Sequence, residues 1–136
     1  MSFPRESLEV AGYLFEQAHG RVLAPSEISA VEDAGFLSAS PEEVAGTIWS
    51  TLATASLPSD YRTSAYWALG KLARKKDKKR FIEALRQEVQ TDIRVAYQIL
   101  VALENMAERV FSRDSVSFDE DELNRRDALA YLSAHK

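Results

Sequence analysis

Arg74-Lys75-Lys76-Asp77-Lys78-Lys79-Arg80 puts six cations into seven residues, the densest charge in the chain. Such a run can neutralise several phosphates, and Tyr66 and Trp67 a helix turn or two upstream offer aromatic faces. An anion-binding site on Arg74, Lys75, Lys76, Lys78, Lys79 and Arg80 is therefore one chemistry these residues allow. The same run also suits a solvated turn, because cations complement the negative end of a helix dipole. Outside it, 11 bases face 20 acids, a charge of −9 that repels nucleic acid and attracts a cationic protein.

Acids gather at Glu32-Asp33, at Glu42-Glu43 and at Asp119-Glu120-Asp121-Glu122. Paired carboxylates can serve acid–base chemistry when burial separates their pKa values, but at helix ends they read as solvated charge, with the last group offering an anionic docking patch. His19 falls at a helix end and His135 near the last residue, neither in a ligand spacing. With no cysteine and no His-x-x-x-His pair, zinc has no ligand set. No Gly-x-Ser-x-Gly elbow or glycine-rich phosphate loop is present. The expectation is a protein that is not an enzyme and carries no cofactor and no metal.

The elements that would position these residues read as helices throughout. Pro4 opens a first helix whose Leu8, Ala11, Tyr13, Leu14, Phe15 and Ala18 are apolar, with Gly20 as its left-handed stop. Pro25 starts a short second helix whose Ile28, Val31 and Ala34 share one side and which ends at Gly35, with Phe36 and Leu37 tucked under the join. Ser40-Pro41-Glu42-Glu43 is a capping box, followed by an apolar face of Val44, Ile48, Trp49 and Leu52 against a polar face of Thr47, Ser50, Thr51 and Thr54. Ser59 or Asp60 caps a helix bearing Ala65, Tyr66, Trp67, Leu69 and Leu72. Phe81, Ile82, Leu85 and Val89 mark the next, and Thr91-Asp92 caps one expected to run to about Val110. That helix is apolar on two sides, so neighbours must sandwich it, and only Arg94, Gln98, Asn105 and Glu108 keep a polar stripe, with Val101 inside it. A last helix opens near Ser117 and packs through Leu123, Ala128, Leu129 and Leu132.

With 136 residues, 46% hydrophobic and 28% charged, the chain suits one ordered soluble domain, residues 1–136. Residues 1–57 form an acidic set of N-terminal helices with 8 acids to 2 bases, and 58–136 are the most repeat-like part. The first residues carry charge too early for a signal peptide or a membrane anchor, and the absence of cysteine points to a reducing cytoplasm.

Asp60-Tyr-Arg62, Asp92-Ile-Arg94 and Asn124-Arg-Arg126 recur every 32 residues. A period of that size marks stacked helical hairpins, although a plain helical bundle fits the same helices. Asp60 to Gly70 and Asp92 to Leu100, with Ala65-Tyr66 and Ala96-Tyr97 inside them, resemble the second helix of HEAT-like repeats. The resemblance implies an all-α fold, a short right-handed α-solenoid of about seven helices, with Asp60 reaching Arg94 and Asp92 reaching Arg126. Stacked copies would align Arg62, Arg94 and Arg126, then Tyr66, Gln98 and Ala130, on a binding surface that the N-terminal helices could also partly cover. Compact HEAT-like proteins of this kind resemble bacterial immunity proteins, which implies a protein-binding module that occludes the active site of a cognate toxin. The partner expected is a basic nuclease-type toxin and not nucleic acid or membrane, and the free protein is expected to be a monomer. Tyr66, Arg94, Gln98, Asn105, Asp119, Glu120, Asp121 and Glu122 are its candidate contacts.

Overall fold

A computed structural model describes residues 3–36, 39–54 and 56–135. Among the described residues there are seven α-helices, two short 3-10 turns and no strand. The chain divides into two compact units, Met1–Leu72 and Ala73–Lys136. The boundary falls inside the stretch 58–136 that the 32-residue spacing groups together.

The first unit holds α1 (Leu8–Ala18), α2 (Pro25–Asp33), α3 (Pro41–Thr54) and α4 (Ser59–Leu72), with a 3-10 turn at Arg5–Ser7. α1 ends as its glycine predicts. Gly20 sits at φ +93°, its N–H donates to Gln17 O, and Arg21 N–H reaches back to Glu16 O at 3.1 Å. Gly35 ends α2 in the same way, at φ +80°, with Phe36 N–H on Val31 O. The box that opens α3 is formed in both directions, Glu43 N–H to Ser40 Oγ at 3.2 Å and Ser40 N–H to Glu43 Oε1 at 3.4 Å.

The core of this unit is Leu8, Ala11, Phe15, Ile48, Ala65 and Leu69, all fully buried. α1 packs most extensively on α4. Gly12 makes that approach possible, because a Cβ there would lie 2.5 Å from the Trp67 ring. Three expectations fail here. Thr51 is buried and not on a solvent face: its hydroxyl donates to Thr47 O and accepts from Phe3 N–H at 3.0 Å. The Tyr61 hydroxyl satisfies Phe3 O at 2.6 Å, so both backbone groups of this buried residue are paired. Ile28 is 44% exposed, and Ala18 also faces solvent. Phe36 stacks on Phe3 with ring centroids 5.8 Å apart, while Leu37 lies outside the described residues.

The second unit holds a 3-10 turn at Lys75–Asp77, then α5 (Lys78–Thr91), α6 (Ile93–Asn105) and α7 (Asp121–Ala134). Asp92 alone joins α5 to α6. Its own N–H closes α5 on Glu88 O at 2.8 Å, and its carboxylate accepts from Arg94 N–H and Val95 N–H to open α6. α6 packs on both α5 and α7 and buries Ile93, Ala96, Leu100 and Leu103 on one side and Val95, Ile99, Ala102 and Met106 on the other, whereas Tyr97, expected with the first set, is half-exposed.

α6 stops at Asn105, short of the expected Val110. Ala107 turns left-handed at φ +64°, with its N–H on Glu104 O and Glu108 N–H on Leu103 O, the arrangement glycine usually makes. α7 starts at Asp121 and not near Ser117. Its inward face also differs from the apolar expectation, since Leu129 is 52% exposed while Asn124 and Asp127 are buried.

Candidate functional site in the second unit

The basic run folds around an acid. Asp77 is 1% exposed, and Arg74 grips it with two hydrogen bonds of 2.8 and 2.9 Å while Arg80 lies at 3.7 Å. Lys78 pairs with Glu108 at 3.0 Å. Arg74, Arg80 and Lys78 therefore face carboxylates of their own unit, while Lys75 and Lys76 are exposed on the turn and Lys79 is exposed at the start of α5.

A second set of residues builds the long segment 106–120 between α6 and α7. Loops of this length without regular structure in a compact unit need specific fixtures. Here they are the buried Asn124 and Asp127 together with the half-buried Glu104 and Arg113. Glu104 Oε1 accepts from Val110 N–H at 2.9 Å and Phe111 N–H at 3.0 Å. Asp127 accepts from the Ser112 hydroxyl at 2.7 Å and from Arg113 through Nε and a terminal nitrogen. Asn124 accepts from Arg113 at 2.7 Å and donates to Ser117 O at 2.9 Å, using both ends of its amide. Arg113 completes its set on Glu120 at 3.2 Å. The loop is thus held from both flanking helices, and the one buried nitrogen of the clamp without a hydrogen bond, Arg113 Nη1, has the Glu120 ion pair alone.

The expected contact residues divide. Arg94 and Asp121 come together at 3.5 Å, and the Arg94 guanidinium lies 5.4 Å from the ring centroid of Phe118, which is 54% exposed. Asp119 and Glu122 are exposed and Glu120 and Asp121 half-exposed at the start of α7, where acids complement the helix dipole. Asp119 accepts from the Ser117 hydroxyl and Glu122 from Arg125. Gln98 and Asn105 follow Arg94 along the outward stripe of α6, half-exposed and exposed. Tyr66 does not belong to this surface: it is a first-unit residue, 6% exposed, edge-on to Trp49 at 6.1 Å. An aromatic at that helical position serves the core.

Asp60, Arg62, Asp92 and Arg94 of the 32-residue spacing make contacts inside their own units. Asp60 pairs with Arg5 at 3.2 Å and Arg62 donates to Leu57 O, whereas Asp92 caps α6 and Arg94 meets Asp121.

One polar cluster was invisible to spacing because it gathers three distant segments. Glu108 Oε1 accepts from the Tyr131 hydroxyl at 2.8 Å and from Lys78 at 3.0 Å, and His135 Nε2 lies at 3.7 Å. Lys78 and then Tyr131 hold the Glu108 carboxyl below its ordinary range, and burial together with that carboxylate pushes the Tyr131 hydroxyl upward. His135 stacks on Tyr131 with centroids 4.0 Å apart, and Arg86 donates to its carbonyl. The cluster ties the start of α5, the segment after α6 and the end of α7 together.

The remaining candidates are helix-end groups. Glu32, Asp33, Glu42 and Glu43 are exposed, and His19 contacts Leu72 O, joining the ends of α1 and α4. Among the described residues there is no group of three His, Cys, Asp or Glu placed to hold a metal, and no helix long and apolar enough to cross a membrane. No protein-family model, curated protein or solved structure matches the chain.

Proposed function

We propose that this chain is a non-enzymatic protein-binding module whose contact surface is the edge formed by Arg94, Phe118 and the acids Asp119 to Glu122. The supporting observation is that this edge combines a half-exposed aromatic with four carboxylates on a segment already fixed by Asn124, Asp127 and Glu104. A surface ordered before the encounter loses less conformational entropy on binding. An exposed aromatic supplies an anchor, and the acidic rim accelerates encounter with a basic partner.

Within that class the reading is an immunity protein that covers the active site of a cognate bacterial toxin, most simply a basic nuclease acting in the cytoplasm. It rests on the HEAT-like resemblance, on the net charge of −4 and on the acidic edge. The α5–α6 hairpin joined by Asp92 is its HEAT-like element, and a short right-handed solenoid that is monomeric when free is the corresponding architecture. The competing reading, an anion site on residues 74–80, is weakened because Arg74, Arg80 and Lys78 face Asp77 and Glu108.

Affinity purification of the full chain from its native cells tests the reading. A stoichiometric basic partner should co-purify, and Phe118→Ala with Asp119→Lys and Glu122→Lys should release it. A partner retained by that variant, no partner at all, or nucleic acid recovered in its place would overturn the assignment.

A further inference from the structure

We propose that the cleft between α6 and residues 109–116 binds a small zwitterionic aromatic molecule, by chemical class an aromatic amino acid. The cleft has a volume of about 430 Å3 and lies wholly within the second unit. Small-molecule sites occupy about 300–1,000 Å3, apolar for the most part with a few placed polar groups.

Its apolar side is Tyr97 and Val101 from α6 with Phe111 and Val116 from the loop. The Tyr97 and Phe111 rings are tilted by 46° with centroids 5.8 Å apart. Both remain half-exposed. The Arg113 guanidinium lies 6.0 Å from the Phe111 ring centroid, and a third ring beside this pair can take the offset or edge-on geometries that aromatic pairs prefer. Val101, the apolar residue that interrupts the polar stripe of α6, lies in this corner.

The polar side is decided by which charges are already engaged. Glu104 is committed to the Val110 and Phe111 N–H groups, and Arg113 to Asp127, Asn124 and Glu120. Arg109 and Asp114 also line the cleft, both exposed, and neither has an ionic or hydrogen-bonding partner among the described residues. One unengaged guanidinium suits a carboxylate, for which its fork of donors is matched. One unengaged carboxylate suits an ammonium group and disfavours a polyanion such as a nucleotide. A ring, a carboxylate and an ammonium on one small molecule answer all three features. Because buried Asn124 and Asp127 fix the loop, the cleft exists before the ligand arrives. The site shares no residue with the acidic edge, so it stands or falls apart from the protein-binding reading.

Calorimetry and amide correlation spectra of the full chain with L-phenylalanine test the assignment. Saturable shifts at Tyr97, Val101 and Phe111 are expected, with L-alanine leaving those signals in place. Arg109→Ala should weaken binding about tenfold or more, the scale of one lost charge-assisted bidentate contact. Phenylpropanoate, which lacks the ammonium group, should bind about tenfold more weakly than phenylalanine to the wild type, and Asp114→Asn should abolish that difference. Both substituted side chains are exposed, so the variants should fold. No saturable shift, equal response to alanine, or binding indifferent to Arg109→Ala would remove the site. Equal binding of phenylpropanoate by the wild type would remove the zwitterionic assignment.

Discussion

Arg113 and Asp127 form a two-point ion pair in which Nε and a terminal nitrogen lie 3.3 and 3.1 Å from one carboxylate oxygen, with Asp127 only 4% exposed. The pair anchors the loop 106–120 on α7, and what it holds in place is the wall of the cleft. Removing the acid leaves a guanidinium with 16% side-chain exposure without its main partner. Breaking a buried pair in this way costs about 3–5 kcal/mol. Asp127→Ala should lower stability in urea by that order and expose the Val110 to Ser112 amides to hydrogen exchange. Unchanged protection of those amides would show that the loop is held by other means.

Ala107 carries a left-handed backbone that alanine adopts at a cost of about 1–2 kcal/mol. Ala107→Gly should therefore stabilise the protein by about 0.5–1 kcal/mol, the larger backbone entropy of unfolded glycine offsetting part of the gain. Gly20→Ala, at φ +93° with open space around it, should do the reverse. Equilibrium denaturation of both variants checks the two signs together.

Gly12→Ala places a methyl 2.5 Å from the Trp67 ring. The ring must move, and overpacking of this kind costs about 1–3 kcal/mol. A red shift of tryptophan emission accompanied by a lower denaturation midpoint is the expected result. An unchanged spectrum would mean that α1 and α4 separate without disturbing the indole.

Glu108 titrates below the usual carboxylate range because Lys78 and Tyr131 stabilise its charged form. Its contribution to stability is therefore fully present above the ordinary glutamate value of about 4.3 and disappears as pH falls through the lower folded value. Lys78→Met should flatten that part of the pH–stability curve. Tyr131 has the opposite sign. Its raised value means that its contribution persists below about pH 10 and fades as the folded hydroxyl ionises above it.

Lys75→Glu combined with Lys79→Glu should change stability by less than about 0.5 kcal/mol, since both side chains are exposed. Asp77→Ala should cost about 3 kcal/mol or more, because Arg74 loses a buried two-point partner. If the lysine pair proves the more damaging, the basic turn has a structural role that its contacts do not reveal.

Local chemistry carried most of the helix boundaries. Gly20, Gly35, the Ser40–Glu43 box and Asp92 each act through backbone groups a few residues away, so their effect is written in short stretches of sequence. The misplaced end of α6 has the same explanation in reverse: Ala107 does what glycine ordinarily does, and nothing in its type announces it. Burial of Thr51, Asn124 and Asp127 was hidden because their partners Phe3, Arg113 and Ser112 come from other segments. The cleft was hidden for the same reason, though Val101 inside the polar stripe was the one local sign of it. Asp60 and Arg94 recur with a regular period, and each has a partner inside its own unit, Arg5 and Asp121.

Both tryptophans, Trp49 and Trp67, belong to Met1–Leu72, and Ala73–Lys136 has none. Indole emission during a melt consequently reports on that half of the chain alone, whereas far-ultraviolet ellipticity sums helices from both. Coincident curves from the two probes mean a single cooperative transition, and an emission midpoint displaced from the ellipticity midpoint means that residues after Leu72 come apart on their own schedule.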